Sequence, residues 1–244
     1  MNLRLSDTAR LAVVLIASAA PGHAQDLANS VQLRDVPFQA IQVVTRQTPT
    51  GATTTRGRIA RDHTGSTYVE LVDSSTGVAT TGFLLDVPGR RGVVLDLVHK
   101  RYSVRAAPEL STRSLQPASV LSTLEAAARD KGQSDAGRYQ GLPSTVTQLG
   151  TKYISGLISI GSEETWPTPA GHTVATHELE RWLSVELGIY VRMTELDRAQ
   201  QQRTEVTLTE VSRVEPSPSL FQIPSDFRPE GKPRRTPGPA ADGD

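Results

Sequence analysis

From Phe38 onward the chain places apolar side chains at every second position, in short runs cut by turn-forming residues. A period of two is the period of a strand whose successive side chains point to opposite faces, and the runs are rich in the β-branched residues and Thr that favour strands. Phe38 to Arg46, Arg56 to Asp62, Thr67 to Asp73, Val78 to Asp86, Val93 to Leu97 and Lys100 to Arg105 follow one another closely. Between them lie turns such as Asp62-His63-Thr64-Gly65 and Val87-Pro88-Gly89-Arg90-Arg91-Gly92, where glycine supplies positive φ without steric cost. The pattern stops at residues 106 to 145, and Ala118 to Lys131 is a helix: Ser119 caps it, Leu121, Leu124 and Ala128 recur at helical spacing, and Gly132 ends it. Strands then resume. Ile154, Gly156, Ile158 and Ile160 share one face, Leu179 and Leu183 another, Ile189, Val191 and Met193 a third, and Val206 and Leu208 a fourth. The pattern predicts an antiparallel meander of about ten strands.

Strands apolar on one face must bury that face, which leaves a closed barrel, a sandwich or a curved sheet with a helix in its hollow. The short local connections disfavour a sandwich, and the single helix favours the last option. The expected fold class is therefore mainly β: a curved antiparallel meander, or half-barrel, with one helix in or over its concave face.

The two ends read differently from the middle. Residues 1–24 have the three parts of a secretory signal: basic Arg4 and Arg10, the apolar run Leu11 to Ala20, and a small-residue exit Pro21-Gly22-His23-Ala24. Cleavage is expected before Gln25, giving an exported, periplasmic or secreted protein, and the apolar run is too short for the about 20 residues that span a bilayer. Residues 25–37 lead into one domain at 38–227. Residues 228–244 carry four prolines, three glycines and no apolar residue larger than Ala, and read as a disordered tail with basic Lys232, Arg234 and Arg235. Just before the tail, Phe221 within Leu220 to Phe227 is expected to be buried as the last anchor of the core.

Composition removes several function classes. Lys and Arg total 26 against 26 Asp and Glu, so there is no basic excess of the kind that drives nucleic-acid binding. Without cysteine the chain can form no disulfide, thiolate zinc site, iron–sulfur cluster or thiol nucleophile. His172 and His177 with Glu178 and Glu180 are the nearest approach to a metal set, but alternate strand residues point apart and no His-Glu-x-x-His is present. Gly-x-Ser-x-Gly, Walker and Gly-x-Gly-x-x-Gly motifs are also missing. Asp86 and Asp96 flank a turn and read as turn-capping residues before they read as a catalytic pair. No catalytic residue, metal ligand or cofactor is assigned, and the protein is read as a non-enzyme.

Two exposed features remain. Arg56 and Arg58, and Arg101 and Arg105, line strand faces as basic stripes or as partners of Glu70 and Glu109. Glu178, Glu180 and Trp182 share a face opposite Leu179 and Leu183, so Trp182 is either covered by a neighbouring loop or a recognition residue.

Several segments look familiar in order. Gly57 to Glu70, Leu84-Leu85-Asp86 with Val94-Leu95-Asp96, Leu149 to Gly156, Glu180 to Gly188 and Glu215 to Pro224 resemble a group of exported, uncharacterised bacterial proteins. The Trp-bearing strand, the turn ending Leu187-Gly188 and the closing Leu220-Phe221 with Pro224 resemble, more distantly, the periplasmic outer-membrane lipoprotein-sorting superfamily of lipoprotein carriers and stress sensors. That resemblance implies a half-barrel with helices in its concave face, and a binder of an acyl chain or hydrophobic peptide.

The resulting expectation is a cell-envelope protein binding a lipid or a lipidated or hydrophobic chain in the hollow, lined by Phe83, Leu85, Leu95, Leu121, Leu124, Ile158, Leu179, Val191, Met193 and Leu208. The ligand would be held without charge pairing, and a Val191→Trp change would fill the hollow while sparing the fold. The alternative is an envelope sensor or interaction protein that binds the exported segment of a membrane protein through Glu180 and Trp182. A weaker third reading is a hydrolase whose site has no linear signature. No nucleic-acid partner and no membrane-spanning segment of the mature chain are expected.

Overall fold

The computed structural model describes residues 31–73, 75–106, 111–114, 117–139, 142–167 and 176–230. The expected signal and cleavage site, His172 and the part of the expected tail beyond Glu230 lie outside the described residues.

The strands are β1 (Val31–Arg34), β2 (Phe38–Thr48), β3 (Gly51–Arg61), β4 (Thr67–Val72), β5 (Ala79–Asp86), β6 (Arg91–Asp96), β7 (Arg101–Ala106), β8 (Ser111–Ser114), β9 (Ser134–Tyr139), β10 (Leu142–Ile154), β11 (Leu157–Pro167), β12 (Thr176–Ser184), β13 (Ile189–Asp197), β14 (Gln202–Ser212) and β15 (Arg228–Pro229). A helix, α1 (Pro117–Arg129), follows β8 and packs on β10 and β11. Thirteen strands form one open sheet in the order β15-β7-β6-β5-β4-β3-β2-β14-β13-β12-β11-β10-β9, while β1 and β8 pair in parallel beside it.

The sheet is two meanders rather than one. β2 to β7 run outward to one edge, β9 to β14 run inward from the other, and the β2–β14 pair joins them at the centre. The interruption at 106–145 is thus the crossover between edges. It also contributes strands β8 and β9, which polar sequence such as Ser134-Asp135-Ala136-Gly137 does not announce.

Side-chain hydrogen bonds show how far the sheet rolls. Ser155 and Gly156, at φ 52° and 78°, make the two-residue turn of the β10–β11 hairpin, the positive-φ geometry that matches strand twist. The Ser155 hydroxyl donates to the Leu208 carbonyl on β14 at 2.5 Å, although β12 and β13 lie between that hairpin and β14 in the sheet order. Arg61 on β3 donates from Nη2 to the Leu187 carbonyl in the β12–β13 turn at 2.6 Å, and from Nε and Nη2 to the Val36 carbonyl. Burial lowers the Arg61 pKa to about 10, so these carbonyls and the face of the Phe38 ring, 5.0 Å away, replace its lost water.

Inside the roll, Phe38, Ala40, Ile59 and Val69 from β2–β4 meet Ile154, Leu157, Trp182, Leu187, Val191 and Leu208 from the other half. A second cluster, Trp166, Leu179, Met193 and Val206, lies on β11–β14. A third, Tyr68, Leu84, Val93 and Leu95, lies on the opposite face of β4–β6 and is covered by Leu220, Phe221, Ile223 and Phe227. The chain after β14 is therefore a strap across the outer face of the first meander. Phe221 is half-buried there, not fully buried as expected, and Pro216 is the fully enclosed residue of the strap. The strap ends as β15, where Arg228 N–H donates to the Lys100 carbonyl at 2.9 Å and Glu230 N–H to the Tyr102 carbonyl at 2.7 Å.

Candidate functional site

Strand register decides which expected ligand residues share a surface. Phe83 pairs with Val69 and Val94, and Leu85 with Thr67 and Gly92, so Phe83, Leu85 and Val94 continue the inner face that carries Ile59 and Val69. Leu95 pairs with Gly82 on the other face, under the strap. The expectation that Phe83, Leu85 and Leu95 converge is corrected: their odd numbering misleads because they come from two antiparallel strands whose register sets 83 opposite 94.

The second meander also departs from simple alternation. Burial on β12 falls on Leu179 and Arg181, then on Trp182 and Ser184, and the change of phase coincides with the bulge between Trp182 and Leu183 in the β12–β13 pairing. One extra residue in the partner strand swaps the faces beyond it. Trp182 consequently leaves the polar face on which the sequence put it. At 6% exposure it packs in the main core, lies flat over Gly161, and donates from Nε1 to Glu180 at 2.5 Å. Lys152 Nζ sits 5.5 Å above the ring. By the same shift Leu157, Ser159 and Gly161 are the buried residues of lower β11, while Ile158 is half-buried on the opposite side.

Val191 and Leu208, at 0% and 1% exposure, belong to the main core, and Leu179 and Met193 to the second cluster. On α1, Leu124 is half-buried and Leu121 is 60% exposed. A bulky residue at Val191 has no hollow to occupy, so the expected tolerance of Val191→Trp is replaced by the opposite prediction.

The inner face around Leu179 is not free of charge, contrary to expectation. Arg181 Nη2 donates to Glu164 Oε2 at 2.8 Å, both side chains are almost fully buried, and Ser144 Oγ donates to Glu164 Oε1 at 2.7 Å. Beside this pair, Trp166 is stacked between Tyr139, 3.8 Å away, and His177, 5.3 Å away. His177 Nδ1 lies 3.9 Å from Asp197, beyond hydrogen-bond reach, and is buried without a partner. Burial raises the Glu195 pKa and also that of Tyr190. Gln42, 3% exposed on β2 opposite Leu208, has neither amide atom bonded. A charge pair 17 residues apart lies outside periodicity's reach; the available signal was Arg181 at the same parity as Leu179.

Among the described residues no group of three or more His, Asp or Glu side chains could hold a metal ion. Asp86 accepts from Gly89 N–H and Arg91 Nε, and Asp96 from Val98 N–H and His99 N–H, so both cap turns. Arg56 sits 3.6 Å from Glu210, and Arg58 N–H donates to Glu70.

Part of the inner surface of β4–β6 is apolar and lies outside the core clusters of the described residues. Leu71, Phe83, Leu85 and Val94 are half-buried on the inner side of β4–β6 and belong to none of the three clusters. Arg105, paired with Gly92, and Arg101, paired with Asp96, border this patch on β7, next to edge strand β15. This is the candidate site: an apolar patch toward one end of the sheet, flanked by basic residues.

No protein-family model matches the chain, and no curated protein matches it. Solved structures do. An uncharacterised conserved protein from Thermus thermophilus is 11% identical, with 80% of this chain and 90% of that one covered, at a TM-score of 0.44. MucB is 15% identical over 80% of this chain and 60% of its own length, at 0.40, and is also known in complex with MucA. A LolA superfamily protein from Nitrosomonas europaea is 9% identical, covering 84% and 98%, at 0.34. The solved structures to which the chain is similar include lipoprotein-sorting and MucB structures. No helix among the described residues is long and apolar enough to cross a membrane.

Proposed function

We propose that the protein is a non-enzymatic binder of an apolar chain, lipid or lipidated, which lies on Leu71, Phe83, Leu85 and Val94, and that it works after export to the cell envelope. The observation that carries this reading is the inner face of β4–β6: four apolar side chains on one face of a curved sheet, outside every core cluster of the described residues, while the rest of the inner face is packed with Phe38, Val191, Leu208 and the Arg181–Glu164 pair. A contiguous apolar surface outside the core is the kind of surface that binds an apolar ligand. Each methylene moved from water onto the patch contributes about 0.8 kcal/mol, so a chain of about ten carbons suffices for stable capture. The signal-like residues 1–24 support export.

Partner binding through Glu180 and Trp182 is not taken up, because the indole is enclosed and already bonded to Glu180. The test is uptake of a fluorescent dodecanoyl probe. Phe83→Asp and Val94→Asp should each reduce affinity at least about tenfold, since a carboxylate on the patch would have to be desolvated by the chain. Unchanged uptake in both variants would end the reading.

A further inference from the structure

Where the strap meets the sheet edge, an open cleft of about 570 Å³ is lined by His99, Lys100, Arg101, Asp226, Arg228 and Pro229. Its chemistry is set by register. The parallel β15–β7 pair places Arg228 directly alongside Arg101, and like charges in that relation on neighbouring strands repel. Neither guanidinium has an ion-pair partner among the described residues. The carboxylates nearby are committed elsewhere: Asp226 holds Lys100 Nζ at 2.8 Å, and Asp96 holds His99 Nδ1 at 2.8 Å and two turn N–H groups. Main-chain hydrogen bonds from Arg228 and Glu230 to the Lys100 and Tyr102 carbonyls hold β15 in this register.

Two guanidiniums at paired strand positions beside a cleft, without an ion-pair partner among the described residues, form a receptor for a compact dianion or a phosphodiester, whose oxygens accept several N–H donors at once. An anion there replaces repulsion between Arg101 and Arg228 with two attractions. We propose that this cleft binds a phosphate group, free or as the headgroup of an anionic lipid. Arg101 and Arg105 also border the apolar patch. In the lipid case, which rests on the apolar-chain reading, the phosphate would sit at the sheet edge and the chain on Phe83 and Leu85.

The experiment compares the wild-type chain with Arg101→Gln/Arg228→Gln in two arms at low salt: titration with inorganic phosphate followed through the His99 ring resonances, and flotation with phosphatidylglycerol/phosphatidylcholine vesicles against phosphatidylcholine alone. Phosphate binding weakened at least about tenfold in the double variant, with equal or higher thermal stability, supports the cleft as a phosphate site. Vesicle capture that needs phosphatidylglycerol and is lost in the double variant, without response to free phosphate, assigns the same site to a lipid headgroup. Failure of the wild-type protein in both arms, or binding unchanged by the double substitution, overturns the proposal. Loss of thermal stability in the single Arg228→Gln variant would also overturn it, since the arginines would then be structural. If the cleft fails while the dodecanoyl probe still binds, the apolar-chain reading stands without it.

Discussion

Replacing Glu164 by Leu tests whether the second half of the inner face is closed to water. The carboxylate is 2.8 Å from Arg181 Nη2 and 2.7 Å from Ser144 Oγ, with the pair almost fully buried. Removing one member strands the other charge, and Arg181 Nε is already without a partner. Loss of one partner of such a pair costs about 3–5 kcal/mol, whereas replacing both by apolar side chains is near neutral or stabilising. Glu164→Leu and Arg181→Leu should therefore each lower the unfolding free energy by about 3–5 kcal/mol, and the double variant should recover most of it. Urea unfolding followed by far-UV circular dichroism and by tryptophan emission gives all four values, and Trp166 reports locally because it packs beside Leu179 in the same cluster. Single costs below about 1 kcal/mol, the range of solvent-exposed pairs, would show that water reaches this face and that the ligand surface is larger than the β4–β6 patch.

Gly161→Ala should destabilise by about 1–3 kcal/mol, because a Cβ there would lie 2.6–2.8 Å from three Trp182 ring atoms; thermal melting no different from wild type would mean the ring is free to move. Val191→Trp should unfold the protein or cost more than about 3 kcal/mol in urea, since the site is 0% exposed. Glu195 has its pKa raised by burial, with the His177 charge opposing, so the stability linked to its proton is full below about 4.5 and is lost as pH rises through the raised value. Glu195→Gln should accordingly match wild type at pH 4 and melt higher at pH 7.5, and equal melting at both pH values would contradict the burial. Phe221→Ala should cost about 1–3 kcal/mol, less than for a fully enclosed Phe, because its ring, part of the strap, is only half-buried against the sheet.

The β-rich fold, the helix and most strand positions were legible because alternation is a local property of the chain. Thr67 to Asp73 against β4 (Thr67–Val72), and Ala118 to Lys131 against α1 (Pro117–Arg129), show how closely boundaries follow turn and cap residues. What alternation cannot carry is register across strands or phase across a bulge. Leu95 was grouped with Phe83 for want of the first, and Trp182 was placed outward for want of the second. Polar runs that pair only because the crossover brings them to an edge, such as β9, have no apolar rhythm to read. The same holds for the Arg181–Glu164 pair and the Arg101–Arg228 juxtaposition, whose members are separated in sequence and joined only by the sheet. Of the candidate site, Phe83 and Leu85 were visible as apolar alternates; that they alone of the expected strand residues lie on the inner face outside the core clusters required the register and the core.

The central claim is that an apolar chain occupies the inner face of β4–β6. Its most direct measurement is a methyl-resolved NMR titration with dodecanoate, comparing Leu71, Leu85 and Val94 with Val191 and Leu208. Saturable shifts confined to the first three, with intermolecular contacts from the chain, are predicted. Shifts centred on Val191 and Leu208, or none at Leu85 and Val94, would contradict it.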